Sequence, residues 1–133
     1  MLDDLILQID DYLRQYNHRF VYCGSISLYL NGCKEITKFN DIDVYYMDLS
    51  DEEKEWVKTS FSDNLPGDNV KKINNIEIRY HEIEFHNRKM LVSDLDYELE
   101  IRYELLKKPN YSKREKVLDR INLIKRHLNI IID

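Results

Sequence analysis

Two aspartates one residue apart offer the clearest chemistry in this chain. Asp41 and Asp43 flank Ile42, and the alternation of polar and apolar residues around them is typical of a strand. Side chains two residues apart on a strand share a face, so both carboxylates are expected on one side, with Ile42 and Val44 facing the core. Mg²⁺ commonly takes one or two carboxylates together with substrate phosphates. The pair therefore predicts a magnesium site.

A Gly-Ser pair upstream predicts a site for phosphate groups. The apolar run from Phe20 to Cys23 is predicted to be a short buried strand, and Gly24 and Ser25 follow it where a helix is expected to begin. The start of a helix presents unpaired N–H groups and partial positive charge, which suit phosphate oxygens. Glycine lets a phosphate approach the backbone closely, and the serine hydroxyl adds one donor.

The order of these features resembles the signature of the DNA-polymerase-β-type nucleotidyltransferase superfamily. In that superfamily a Gly-Ser or Gly-Gly pair opens a helix, and two carboxylates separated by one apolar residue follow on the next strand. Here Gly24 and Ser25 match the first feature, and Asp41 and Asp43 match the second. The resemblance covers Phe20 to Tyr46, about a fifth of the chain. It implies a mixed sheet flanked by helices and Mg²⁺-dependent transfer of a nucleoside monophosphate from an NTP.

A weaker resemblance lies in the C-terminal part of the chain. The run from Val92 to Leu95, a predicted helix, and then Arg114, Lys116 and Asp119 are similar to the tail of abortive-infection toxins of the AbiE type and related small transferases. This resemblance implies a role in a toxin–antitoxin system or in phage defence. Lys116 is a candidate for contact with the nucleotide, and a solvated helix face is the alternative for it.

Active members of the superfamily usually carry a third carboxylate on a later strand, between apolar residues. Glu77 and Glu84 both fit this pattern, and Glu77 ranks first because Ile76, Ile78 and Tyr80 alternate around it. A regular strand turns Glu77 and Glu84 to opposite faces, so only one of them can approach the two aspartates. Its role would be that of a general base on the attacking hydroxyl, or of a ligand to a second metal ion.

The remaining periodicities predict an α/β (α+β) fold with a mixed sheet and C-terminal helices. Helices are predicted over about 2–16, 25–31, 51–61, 94–107 and 113–128, strands over 20–23, 41–46, 70–73, 76–85 and 89–92, and a loop over 65–68. Ser112 and Glu115 predict a capping box for the last helix, and Val117, Leu118 and Ile121 begin its apolar stripe. The 133 residues are expected to form one domain, with a core over about 17–92 and a helical section over about 93–133.

Composition limits the partners that this chain can be expected to bind. The formal net charge is −5, which argues against duplex DNA, while a cluster of lysines and arginines in the last third leaves room for RNA. Cys23 and Cys33 are too few for a disulfide scaffold and are expected to be reduced, in the cytoplasm. Neither a secretory signal nor a membrane span is predicted.

Three functional hypotheses follow from the sequence. The first is an Mg²⁺-dependent nucleotidyltransferase whose hydroxyl acceptor is an RNA end, a protein or a small molecule. The second is a catalytically silent nucleotide-binding or protein-interaction module on the same fold, acting on a cognate protein partner as an inhibitor or antitoxin. The third is a structural interaction domain in which the aspartates are incidental.

Overall fold

A computed structural model of the chain describes residues 2–15, 19–39, 42–47, 67–69 and 77–129. Within these residues the helices are α1 Leu2–Arg14, α2 Gly24–Leu30, α3 Leu95–Leu106 and α4 Arg114–His127. The strands are β1 Phe20–Cys23, β2 Ile42–Tyr46, β3 Gly67–Asn69, β4 Tyr80–Phe85 and β5 Arg88–Ser93. None of these described helices is long and apolar enough to cross a bilayer.

The five strands form one mixed sheet in the order β3-β2-β1-β5-β4. Strand β1 lies at the centre, antiparallel to β2 and parallel to β5. Strand β3 runs parallel to β2 at one edge, and β4 is antiparallel to β5 at the other. This arrangement confirms the predicted α+β class with a mixed sheet and C-terminal helices, and it confirms that β1 and β2 are neighbours.

One face of the sheet packs against the first helices. The helical spacing of Ile6, Ile9 and Leu13 gives α1 an apolar face, and all three side chains are buried. They share a core with Tyr22 of β1 and Val44 of β2, which are also buried. Burial of each such side chain is worth about 1.5–3 kcal/mol. The core therefore fixes which face of β2 is apolar, and it turns Asp43 to the opposite face.

Strand β3 corrects the prediction of a loop over 65–68. Gly67 is typical of a turn, yet Gly67, Asp68 and Asn69 pair in parallel with β2. Backbone hydrogen bonds to a neighbouring strand compensate for poor intrinsic strand propensity, and a local sequence pattern does not contain that information. The predicted helix over 51–61 and the predicted strand over 70–73 lie outside the described residues.

The hairpin of β4 and β5 has its turn where the sequence predicts it, but different residues of β4 face the core. His86 and Asn87 form the turn with φ of 47° and 64°, as the predicted break requires. Pairing is continuous from Tyr80 to Phe85, and Ile83 and Phe85 face the core. Tyr80 therefore lies on the opposite face of the strand and is exposed. Strand β4 also begins at Tyr80, four residues later than predicted.

The two C-terminal helices pack against each other and form a second cluster with α2. Helix α4 begins after Lys113 without a side-chain cap, so the capping box predicted at Ser112 is not formed. Val117, Ile121 and Ile124 are buried as the apolar stripe predicts. Leu118, which was predicted to belong to the stripe, is 41% exposed. Leu123, which was not part of the predicted stripe, is buried in the second cluster.

We expect the stability of the protein to fall at alkaline pH because of its buried thiols. Burial raises the pKa of Cys33 from 9.0 to about 11, and burial also raises that of Cys23. Between pH 9 and 11 the Cys33 thiol ionises in the unfolded chain but stays neutral in the folded one, so unfolding becomes more favourable. The free energy of unfolding should drop by roughly 2 kcal/mol between pH 8 and 11 from Cys33 alone.

Urea unfolding of the wild type and of Cys33→Ala at both pH values checks this expectation. Removal of the side chain lowers stability at every pH through lost packing, but it also removes one titrating group. The change in unfolding free energy between pH 8 and 11 should thus be smaller in the variant. An equal change in the two proteins would contradict the assignment.

Candidate functional site

The site predicted from the Gly-Ser pair and the aspartates lies where β1 ends. Cys23, the last residue of β1, is paired with Asp43 of β2, and the chain passes directly from Cys23 into α2 at Gly24. Gly24 has φ +65°, which residues with a side chain rarely adopt. A Cβ placed on Gly24 would also lie 2.4 Å from Oδ2 of Asp43. The structure therefore brings Gly24 and the Asp43 carboxylate into direct proximity.

A cavity of about 220 Å³ opens beside this turn. Gly24, Ser25 and Asp43 lie on one side of it, and residues of α3, α4 and their connection lie on the other. Lys116, the candidate from the C-terminal helix, is among these lining residues. Four of the residues singled out in the sequence thus line a single cavity, although Lys116 is more than seventy residues away from Asp43 along the chain.

Positive charge exceeds negative charge around the cavity. Its walls include Arg102, Lys113, Lys116 and Arg120, against the carboxylates of Asp43 and Glu98. Arg102 pairs with Glu98. Among the residues that the structure describes, Lys113, Lys116 and Arg120 form no ion pair. An anionic ligand would therefore meet cations that no described carboxylate neutralises.

Arg120, which lines the cavity, has an unsatisfied hydrogen-bond donor. Its Nε is the one buried side-chain nitrogen or oxygen without a hydrogen-bond partner in the described parts of the chain. A buried donor left unpaired costs about 1–3 kcal/mol, and more when it is charged. In the sequence Arg120 is one of several cations in the last third, and nothing in the pattern of α4 shows which of them turn towards the cavity.

Helix α2 is a short helix at the predicted turn. The predicted turn is present, with Gly24 as the first helical residue, but the helix has only seven residues. Short helices have small dipoles, and interaction with the dipole is limited to the first turn. The side chains of α3, α4 and their connection add four cations to this site.

The two glutamates predicted as third carboxylate do not line the cavity. Glu84 is exposed on β4, which β1 and β5 separate from β2. With about 4.8 Å between neighbouring strands, β4 and β2 are roughly 14 Å apart. Glu77 is exposed and precedes β4, outside the regular strand in which it was predicted. The prediction for Glu84 is therefore wrong, because β4 pairs at the far edge of the sheet. Glu77 is not among the residues that line the cavity, and its role stays a prediction.

The strand register places another aspartate beside Asp43. Asp68 of β3 is the Cα partner of Asp43 in the parallel pair of β2 and β3. Asp68 was not a candidate from the sequence, because the segment over 65–68 was predicted to be a loop. Its flanking residues, Gly67 and Asn69, also lack the apolar pattern expected around a third carboxylate.

Of the two aspartates predicted to bind magnesium, the structure describes only Asp43. The Asp43 carboxylate lies beside a backbone position without a side chain, which suits a hard cation that also binds ligand phosphates. Asp41 lies outside the described residues, so its prediction as the second ligand stays a prediction. Within the described ranges, no group of three histidine, cysteine or acidic side chains is arranged to hold a metal.

Comparisons with known proteins add no family assignment. Neither protein-family models, nor curated proteins, nor solved structures give a match to this chain. The functional interpretation consequently depends on the residues and their geometry.

Proposed function

We propose that the protein is an Mg²⁺-dependent nucleotidyltransferase that moves a nucleoside monophosphate from an NTP to a hydroxyl acceptor. The observation that carries this proposal is the Asp43 carboxylate against Gly24 at the edge of a basic cavity. A carboxylate for a metal and unpaired cations for phosphates are the two components that a metal-bound triphosphate needs. The acceptor is an RNA end, a protein or a small molecule.

Each group has a defined task in this reaction. Asp43 and Asp41 would hold Mg²⁺, which neutralises phosphate charge when bound. Lys116 and Arg120, which line the cavity, would contact phosphate oxygens. The acceptor oxygen forms a bond to the α-phosphorus, the bond from that phosphorus to the bridging oxygen breaks, and pyrophosphate leaves. The acceptor's proton passes to a carboxylate, and the register favours Asp68 for this role.

A transfer assay tests the proposal directly. The protein is incubated with Mg²⁺ and each α-³²P-labelled NTP, together with bulk tRNA or a cell extract as the source of acceptors. Label is expected in RNA, in a protein band or in a small product, and EDTA should prevent its incorporation. Absence of transfer from all four nucleotides to any of these acceptors would contradict the proposed activity.

One observation favours the silent nucleotide-binding module as a second candidate. Neither Glu77 nor Glu84 lines the cavity, and the superfamily's active members usually carry a third carboxylate. Such a protein would bind an NTP with Mg²⁺ and act as an inhibitor or antitoxin on a protein partner. Calorimetry with NTP and Mg²⁺ gives binding for both candidates, whereas only the enzyme transfers label.

Substitution of the three candidate carboxylates distinguishes between these possibilities. We expect Asp68→Asn to lower turnover at least about a hundredfold, the range for loss of a general base. Glu84→Gln should change turnover little, because β4 lies at the far edge of the sheet, and Glu77→Gln likewise because Glu77 is outside the cavity wall. Steady-state rates with saturating NTP provide the measurement. A large loss confined to Glu77→Gln would return the role to the residue that the sequence ranked first.

A further inference from the structure

A chain of buried polar groups connects the Gly24 turn to helix α3. The Ser27 hydroxyl donates to the carbonyl oxygen of Gly24 at 3.0 Å. The Ser93 hydroxyl donates to Oε2 of Glu98 at 2.7 Å, and the two serine oxygens are 2.9 Å apart. Ser27, Ser93 and Glu98 are all at least 97% buried. Buried hydrogen bonds of this kind restrict the arrangement of the side chains that form them.

The far end of this chain is the cavity arginine, Arg102. Its Nη1 donates to Oε1 of Glu98 at 2.6 Å and to the carbonyl oxygen of Glu98 at 3.1 Å. Arg102 is only 9% exposed, and it is one of the residues that line the cavity. Glu98 thus uses one oxygen for Arg102 and the other for Ser93. An intact buried ion pair contributes little net stability, but removal of one partner leaves an uncompensated buried charge and is strongly destabilising.

Counting hydroxyl protons identifies which groups donate along this chain. Three contacts join Gly24, Ser27, Ser93 and Glu98, but the two serines supply only two protons. The carboxylate is the strongest acceptor, so the Ser93 proton belongs to Glu98. The Ser27 proton is then shared between the Gly24 carbonyl oxygen and the Ser93 oxygen. A change at Glu98 consequently reaches the backbone of Gly24 through two hydroxyl groups.

We propose that Glu98 is a positioning residue that holds the Arg102 guanidinium in the cavity wall and, through Ser93 and Ser27, in fixed relation to the Gly24 turn. The ligand is then met by a guanidinium whose orientation is set before binding, which spares the entropy of ordering it. The recognised chemistry is a polyphosphate. The inference rests on the proposed function, in that it takes the cavity to be the triphosphate site.

Inorganic triphosphate is the probe that separates positioning from simple charge. Glu98→Gln removes one negative charge from the cavity, so an effect of charge alone would tighten binding of the anion. Positioning predicts the opposite, a loss of about tenfold in affinity measured by calorimetry, as expected when one charge-assisted contact is misplaced. Glu100→Gln is the matched control, because Glu100 lies on the same helix, is exposed and pairs with Arg79.

A double-mutant cycle shows whether Glu98 acts through Arg102. Glu98→Gln should have little effect in a protein that already carries Arg102→Met, since nothing is left to position. The double variant also removes both buried charges together, which preserves the fold better than either single change. Should Glu98→Gln alone fail to fold, Ser93→Ala decides, because it breaks the link without changing charge and should weaken binding severalfold.

The outcomes separate the two proposals. Wild-type protein that binds neither inorganic triphosphate nor an NTP would overturn both the proposed function and this inference. Wild-type binding that Glu98→Gln tightens or leaves unchanged would overturn the positioning role alone. Weakened binding in Glu98→Gln and in Ser93→Ala, with no further loss from Glu98→Gln in the Arg102→Met background, would support it.

Discussion

Replacement of Asp43 by asparagine is expected to abolish nucleotidyl transfer while the protein remains folded. The change keeps the shape of the side chain but removes the negative charge that would hold Mg²⁺ beside the triphosphate. Loss of a charge that stabilises the transition state in a preorganised site lowers turnover on the order of a thousandfold. Single-turnover transfer of labelled nucleotide, followed across a range of Mg²⁺ concentrations, provides the measurement.

An exposed aspartate elsewhere provides the control for this substitution. Asp4 is exposed in the first turn of α1 and does not line the cavity, so Asp4→Asn changes the net charge equally without touching the site. Both variants should show wild-type circular dichroism and similar melting temperatures. Transfer at the wild-type rate by Asp43→Asn would refute the assignment of Asp43 to the metal.

Replacement of Gly24 by alanine should cause a loss of activity of similar size, for a steric reason. The new methyl group would lie 2.4 Å from Oδ2 of Asp43, so the Asp43 carboxylate must move away from the turn. The backbone at Gly24, with φ +65°, adds about 1–2 kcal/mol of strain for any residue with a side chain. We therefore expect a modest loss of stability and a loss of transfer of a hundredfold or more, since small displacements of reacting groups have large effects.

Gly32 offers a matched control for the backbone strain. It also has positive φ, at +106°, but nothing lies within 4 Å of a Cβ placed there. Gly32→Ala should consequently reduce the melting temperature while leaving transfer unchanged. Equal activity losses in the two alanine variants would show that strain, and not displacement of Asp43, explains the effect at Gly24.

The sequence was sufficient for the parts of the site that depend on local pattern. The apolar run before Gly24 and the alternation around Asp43 each specify an element by themselves, because a strand buried on one side requires that periodicity. Strand β1 ends beside the start of β2, where Cys23 pairs with Asp43. This pairing brings Gly24, the residue after Cys23, close to Asp43. The fold class followed from the same local signals.

The parts that sequence analysis missed depend on contacts between distant segments. Asp68 reaches its place only because β3 pairs with β2, and a Gly-containing segment gives no local sign of that pairing. Glu84 fits the pattern of a third carboxylate because its neighbours are apolar, but periodicity does not show where in the sheet a strand lies. Likewise, the helical pattern of α4 did not distinguish Arg120, whose Nε is buried, from cations that face water.

The parallel pairing of β1 with β5 has a consequence for how the protein is made. Tyr22 pairs with Val92, about seventy residues later, and the cations of the cavity come later still. A nascent chain that has already exposed Gly24 and Asp43 outside the ribosome therefore still lacks β5 and the basic wall around Lys116. Contacts of such long sequence separation also form slowly. The basic wall of the cavity is thus completed late in synthesis, once α4 has emerged and docked.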